Sequence, residues 1–263
     1  MMRPPGIKGI LFDMDGVLYN SEMAIRGAAE VVDWARAQRI PHLFVTNTTS
    51  RSRAVLVEKL ARFSIAAEKS QIHTPCVAAT RWLRSQPSGP VALFVQPAAQ
   101  EEFAGFPLVP PEAESGASYV IIGDLGDSWD YHTLNRAFRL LHSNPDAQLV
   151  ALGMTRYWQT TDGLSLDVAP FVAALEHAAE RQALVFGKPA AAFFGAAAEE
   201  LKLPPNAVVM VGDDIRTDIG AAQAAGMKGV LVRTGKFRPA DLERAVEPDA
   251  VLESVAELPR WWR

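Results

Sequence analysis

Short apolar runs alternate with amphipathic stretches along most of this chain. The first run is Ile7-Lys8-Gly9-Ile10-Leu11-Phe12. Near-continuous apolarity over so few residues predicts a strand buried on both faces, as in a parallel sheet. Residues 27–38 then place Ala28, Val31, Val32 and Ala35 on one helical face. Residues 41–47 repeat the strand pattern and end in polar side chains. Thr48, Thr49 and Ser50 offer N-caps for a helix over residues 51–63, whose apolar content is Val55, Leu56, Val57 and Leu60. A βαβα alternation of this kind predicts a parallel sheet. The C-terminal part resumes it: a strand over 207–211, a helix over 217–225 closed by Gly226, and strands over 229–232 and 250–252.

The middle of the chain has another texture. Residues 85–90 (Ser-Gln-Pro-Ser-Gly-Pro) interrupt the pattern, as do Pro107, Pro110 and Pro111. Between these breaks lie strand candidates at 91–95, 119–122 and 149–152, and helix candidates at 131–143 and 170–181. The expected organisation is a second α/β unit inserted into the first. Residues 1–80 and 185–263 then form the core domain and residues 81–184 the insertion.

At 263 residues, 49% apolar and 21% charged, the composition is that of a globular protein. A net charge of −4 supplies no basic field for nucleic acid. Cys76 is the only cysteine, so no intrachain disulfide forms, and a reducing compartment is expected. The N-terminus, Met1-Met2-Arg3-Pro4-Pro5, lacks the apolar core of a signal peptide, and no apolar stretch approaches the ~20 residues of a membrane helix. These features together predict a cytoplasmic protein without a membrane partner.

Polar residues gather where the apolar runs stop. Asp13 and Asp15 follow the first run, and alternation along an extended strand would point both carboxylates to one face. Two bare carboxylates that close repel each other, so a cation or a division of roles is called for. The same pair could instead polarise a strand end or cap a helix. Thr46 and Asn47 end the second run. Gly187-Lys188-Pro189 follows the apolar run 183–186, and Gly212-Asp213-Asp214, with Asp218 beyond, follows 207–211. In an open α/β sheet ligands bind outside the carboxyl ends of the strands, and all four clusters are expected there. The chemistry these groups suit is phosphoryl transfer. One carboxylate can take the phosphoryl group, and a second can protonate the leaving group and then activate water. A hard cation on oxygen ligands, with Asp213 as a further ligand, screens the phosphoryl charge. A lysine ammonium can neutralise carboxylate and phosphoryl oxygens together. The Thr46 hydroxyl can bind a remaining oxygen.

Asp13-Met14-Asp15-Gly16-Val17-Leu18, Val45-Thr46-Asn47, Gly187-Lys188-Pro189 and Gly212-Asp213-Asp214-Ile215-Arg216-Thr217-Asp218 resemble, in order, the four motifs of the haloacid dehalogenase-like phosphatases. The resemblance implies Asp13 as nucleophile, Asp15 as general acid and base, and Lys188 as the charge-neutralising lysine. It implies Thr46, Asn47, Thr48 and Lys188 around the substrate phosphate. Mg²⁺ would be held by Asp13, the Asp15 carbonyl and Asp213, with Asp218 supporting them from behind. The long stretch between Thr46 and Lys188 places the inserted cap after the second motif. That is the arrangement of the class IIA, NagD-like branch, with a Rossmann-like parallel-sheet core and an α/β cap of the C2 type. Arg156-Tyr157-Trp158, Asp162-Gly163-Leu164 and Thr234-Gly235-Lys236-Phe237-Arg238-Pro239 resemble the phospholysine phosphohistidine inorganic pyrophosphate phosphatase group within that branch. The substrate implied is a small phosphorylated compound, with pyrophosphate and P–N bonds in range. Family members often pair through the cap, so a homodimer is expected.

Two other readings stay open on the residues alone: a phosphate-binding protein without catalysis, and a phosphotransferase with an acceptor other than water. Asp214 is expected to cap or to meet solvent. Arg156, Tyr157 and Trp158 are candidates for contact with a leaving group, and Asp162-Gly163 for a hairpin turn. His42, His73, His132, His142 and His177 lack metal-site spacing, and Trp261-Trp262 is expected to pack on the core.

Overall fold

The computed structural model describes residues 5–160 and 163–263. The chain divides into two compact units. Residues 1–46, 53–74 and 188–263 form the first, and residues 47–52 and 75–187 the second. The second therefore begins at the helix Pro75–Arg84, which a join at residue 80 would have cut. It also takes in the short segment 47–52, which no pattern in the sequence set apart.

The core unit is a six-stranded, wholly parallel sheet. Its spatial order is Ala250–Leu252, Lys228–Val232, Val208–Gly212, Gly9–Asp13, His42–Val45 and Ile72–His73. The chain starts on the strand Gly9–Asp13, winds to one side, and returns to build the other. That first strand is thus the point where the winding reverses, the standard place for a ligand crevice in such sheets. Register levels the strand ends: Asp13 pairs with Val45, and Phe12 with Val211.

Helices cover the sheet as the apolar pattern required. Helix Ala28–Ala37 buries Ala28, Val31, Val32 and Ala35. Helix Arg53–Arg62 buries Leu56 and Leu60, whereas Val55 is exposed. Trp261 and Trp262 are buried in the same core, Trp262 edge-on to Trp34 at 5.9 Å. His42 and His73 are buried and hydrogen-bonded. His73 reaches Glu200 Oε2 at 2.9 Å and the Phe193 carbonyl at 3.1 Å.

The inserted unit has its own parallel sheet, in the order Leu184–Val185, Gln148–Ala151, Tyr119–Ile122 and Val91–Phe94. Helices Tyr131–His142 and Val168–Ala179 pack on it, capped by Asp130 and Asp167. A two-stranded antiparallel hairpin pairs Tyr157–Thr160 with Gly163–Leu166. The Asp162 part of its turn lies outside the described residues.

One expectation about the strands is corrected. The apolar run before Lys188 ends no core strand: Leu184–Val185 pairs with Gln148–Ala151 in the inserted sheet. Three of the four polar clusters follow strands of the core sheet; Lys188 reaches the core unit from the last strand of the other one. A run this short reads the same whichever sheet it joins.

Candidate active site

The central group is built on Asp13. It is the last residue of its strand, 6% exposed, and its Oδ1 accepts a hydrogen bond from Lys188 Nζ at 2.7 Å. The same ammonium donates to Asp218 Oδ1 at 2.7 Å. Lys188 is buried. It lies three residues before the helix Ala191–Leu201, which Phe193 and Phe194 anchor by full burial.

Asp213 follows the strand Val208–Gly212 directly and is 1% exposed. Its Oδ2 accepts from the Lys236 backbone N–H at 2.6 Å. Its Oδ1 is buried without a hydrogen-bond partner among the described residues. Three glycines let the chain close around these carboxylates. A Cβ on Gly16 (φ +90°) or on Gly235 (φ +63°) would stand 2.0 Å from Asp213 Oδ2, and one on Gly212 would stand 2.3 Å from Asp218 Cβ. Positive φ is easy only for glycine, so Gly16 and Gly235 answer two demands at once. Thr234 Oγ1 ties the two loops by donating to the Gly16 carbonyl at 2.5 Å.

Asp218 lies on a turn wider than the α-helix expected there. Residues Ile215–Gly220 are π-helical, and the helix proper is only Ala221–Ala224. The Asp214 carboxylate accepts from the N–H groups of Arg216 and Thr217, while its carbonyl accepts from those of Asp218 and Ile219. Asp214 is therefore a cap. The wide turn carries Asp218 inward, where its Oδ2 accepts from the Asp214 N–H at 3.2 Å.

Asp13, Asp213 and Asp218 offer carboxylate oxygens within 4.8 Å of one another. Burial, reinforced by the Asp218 and Asp213 charges, pushes the Asp13 carboxyl up to about 7 although Lys188 opposes it. Burial likewise pushes Asp213 up to about 6, against the pull of the Lys236 N–H. Burial alone would lower the Lys188 ammonium; Asp13 and Asp218 override it and hold it above its ordinary value.

The repulsion expected between Asp13 and Asp15 is thus a repulsion between Asp13 and the other two aspartates. The strand stops at Asp13 and the chain bends at Met14, so strict alternation does not carry through. The Asp15 side chain is exposed and its Oδ1 accepts from the Ser21 N–H at 3.2 Å. Thr46 is half-buried at the adjoining strand end, where its N–H donates to the His73 carbonyl at 3.1 Å. Asn47 and Thr48 group with the inserted unit, as do Arg156 and Tyr157. Arg156 lies over the Tyr157 ring at 5.8 Å.

The donor set fits a divalent cation. Three buried carboxylates face one buried ammonium, Lys188, and among the described residues only the exposed Lys236 adds a further positive charge, beside Asp213. A buried charge without a partner is costly, and Asp213 Oδ1 is such an orphan. Hard oxygen donors of this kind suit Mg²⁺. Sequence reasoning missed the Gly235–Lys236 clamp on Asp213, because a backbone N–H carries no signature of its own.

Comparison with known proteins places the chain in a family. The family profile described as haloacid dehalogenase-like hydrolase matches residues 10–107, and a second, HAD-hydrolase-like, matches residues 185–258. The human phospholysine phosphohistidine inorganic pyrophosphate phosphatase is 36% identical over 97% of this chain and 94% of its own length. Among solved structures, the p-nitrophenyl phosphatase of Archaeoglobus fulgidus superposes with a TM-score of 0.86 at 27% identity, over 97% of this chain and 99% of that one. NagD from E. coli K-12 gives 0.85 at 25% identity, over 95% and 98%. The chain belongs to the haloacid dehalogenase-like hydrolases, in their class IIA, NagD-like branch, and is a hydrolase of the phosphatase type.

Proposed function

We propose that this protein is a Mg²⁺-dependent phosphatase that transfers the phosphoryl group of a small compound to Asp13 and then to water. The observation that carries the reading is the buried set of Asp13, Asp213 and Asp218, with the buried Lys188 ammonium bridging Asp13 and Asp218. Asp13, the Asp15 carbonyl and Asp213 would hold the cation, which supplies charge neutralisation for the phosphoryl oxygens. Lys188 keeps Asp13 ionised and meets a phosphoryl oxygen. Thr46 binds another. Asp218 orients Lys188 by accepting a second hydrogen bond from its ammonium.

In the first half-reaction a carboxylate oxygen of Asp13 bonds to phosphorus, and the bond from phosphorus to the leaving group breaks. Asp15, exposed where a substrate can reach it, gives its proton to the leaving atom. In the second half Asp15 takes a proton from water, the water oxygen bonds to phosphorus, and the bond to Asp13 breaks to release inorganic phosphate. This divides one difficult displacement into two easier ones. The human relative's name adds pyrophosphate and P–N compounds to the substrate class we propose. A cytoplasmic location and a homodimer paired through the inserted unit complete the proposal. No described helix is long and apolar enough to cross a membrane.

Hydrolysis of p-nitrophenyl phosphate with Mg²⁺ tests the reading. Asp13→Asn is expected to lower turnover on the order of 10⁶-fold, the scale of losing a nucleophile. Wild-type turnover in that variant would sink it. Binding of phosphorylated metabolites without phosphate release would point to a binding protein instead, and phosphate passed to added alcohols to a phosphotransferase.

A further inference from the structure

Helix Arg53–Arg62 turns Leu56, Lys59 and Leu60 inward. A lysine on that face is out of keeping with its neighbours, and its side chain is only 6% exposed. Its ammonium lies 4.3 Å from the centre of the Tyr19 ring and 3.4 Å from Glu22 Oε1. The Tyr19 ring packs on Phe63 at 5.3 Å. Arg62 reaches Glu22 Oε2, also at 3.4 Å, but both of those side chains are well exposed. Water and salt weaken an exposed pair, whereas a desolvated ammonium over an aromatic face is held firmly.

Tyr19 and Glu22 belong to one small hairpin. Tyr19–Asn20 pairs with Met23–Ala24 across the two-residue turn Ser21-Glu22. Ser21 has φ +50°, a left-handed conformation uncommon for a residue with a Cβ. Its N–H is the donor to Asp15 Oδ1. The Tyr19 carbonyl accepts the Gly16 N–H at 2.7 Å. The hairpin therefore grips the chain at Asp15 and again at Gly16. With two residues per strand, it is too short to hold its own shape in water.

We propose that Lys59 is a positioning residue for Asp15. It clamps the Tyr19–Ala24 hairpin through the Tyr19 ring and the Glu22 carboxylate, and so fixes the Ser21 N–H that orients the Asp15 carboxyl. The inference rests on the reading of Asp15 as the proton donor to the leaving group. A general acid acts only when held within hydrogen-bond reach of the atom it protonates. Asp15 is exposed, so packing does not hold it.

The test uses the full-length protein with Mg²⁺ and a series of substituted phenyl phosphates. Lys59→Met keeps an unbranched side chain on the inward face and removes the charge. kcat/KM for phenyl phosphate, whose leaving group needs a proton, is expected to fall on the order of tenfold, a part of what a general acid supplies. The value for p-nitrophenyl phosphate, whose leaving group needs little help, should change by less than about twofold. Lys59→Arg should restore most of the loss, and Asp15→Asn should show the same dependence on leaving group, more steeply. If Asp15→Asn shows that dependence and Lys59→Met lowers both substrates equally or neither, the positioning role is overturned and the role of Asp15 stands. If Asp15→Asn shows no such dependence, or the wild type hydrolyses neither ester, the reading of Asp15 falls and the inference with it.

Discussion

The two units of this protein use the same parallel architecture and the same residue, aspartate, to different ends. In the inserted unit the carboxylates satisfy backbone groups. Asp130 accepts from the Thr133 N–H, Asp167 from the Val168 N–H and Asp124 from the Gly126 N–H. In the core unit Asp13, Asp213 and Asp218 crowd together under burial; Asp13 and Asp218 share one ammonium, and an oxygen of Asp213 is left unmet. A parallel sheet alone does not make a reaction site. What makes one is charge that the fold gathers and does not neutralise.

Breaking an ion pair in each unit gives the largest contrast. Lys188→Met leaves three buried carboxylates facing each other. Without Mg²⁺ it should lower unfolding stability by about 3–5 kcal/mol, the cost of orphaning a buried charge, and with Mg²⁺ present it should abolish turnover. Arg139→Met in the inserted unit breaks an exposed pair with Glu114 and should cost about 0–1 kcal/mol, with turnover unchanged. Denaturant titration and steady-state assay read both. Equal costs would remove the distinction between the units.

A pH series sharpens the same contrast. Asp13 and Asp213 are pushed up to about 7 and about 6 by burial. Carboxyls raised above their unfolded values favour the folded state fully at pH below about 4, where both states are protonated. That contribution is lost progressively as pH rises from about 4, where the unfolded carboxyls ionise, to about 7, above which the fold must hold bare charges. In EDTA the melting temperature should therefore fall across this window. Mg²⁺ prefers the ionised carboxylates, so the rise in melting temperature it gives should grow over the same window. A Mg²⁺ effect independent of pH, measured by thermal denaturation, would contradict this origin.

A small effect is also expected in the inserted unit. Asp130→Ala removes the N-cap of helix Tyr131–His142 and should cost about 1 kcal/mol of stability. kcat should not change.

Much of the site was legible in the sequence because its residues punctuate apolar runs. Asp13 and Asp213 follow buried core strands directly, and the polar Thr46 closes another, so residue type and position spoke together. Lys188 also follows an apolar run, but that run belongs to the other sheet, so the pattern before it does not report the core strand expected there. The helices Pro75–Arg84 and Ala191–Leu201 went unmarked. The alanine-rich start of the second carries little amphipathic contrast, and the first begins at the boundary along the chain between the two units. The inward path of Asp218 depends on a wide turn, and the hold on Asp213 on a backbone N–H from Lys236. Both arise from local geometry that residue identity does not announce. Lys59 had a signal: it falls on the face set by Leu56 and Leu60, where a charge needs a partner.

The central claim is that Asp13 receives the phosphoryl group beside a cation held by the buried carboxylates. A crystal structure of the protein grown with Mg²⁺ and beryllium fluoride tests it directly. The account predicts a beryllium fluoride group bonded to a carboxylate oxygen of Asp13, with Mg²⁺ in contact with Asp13 and Asp213 and with Lys188 against a fluorine. Beryllium fluoride bound to another side chain, or Mg²⁺ bound away from Asp13 and Asp213, would contradict it.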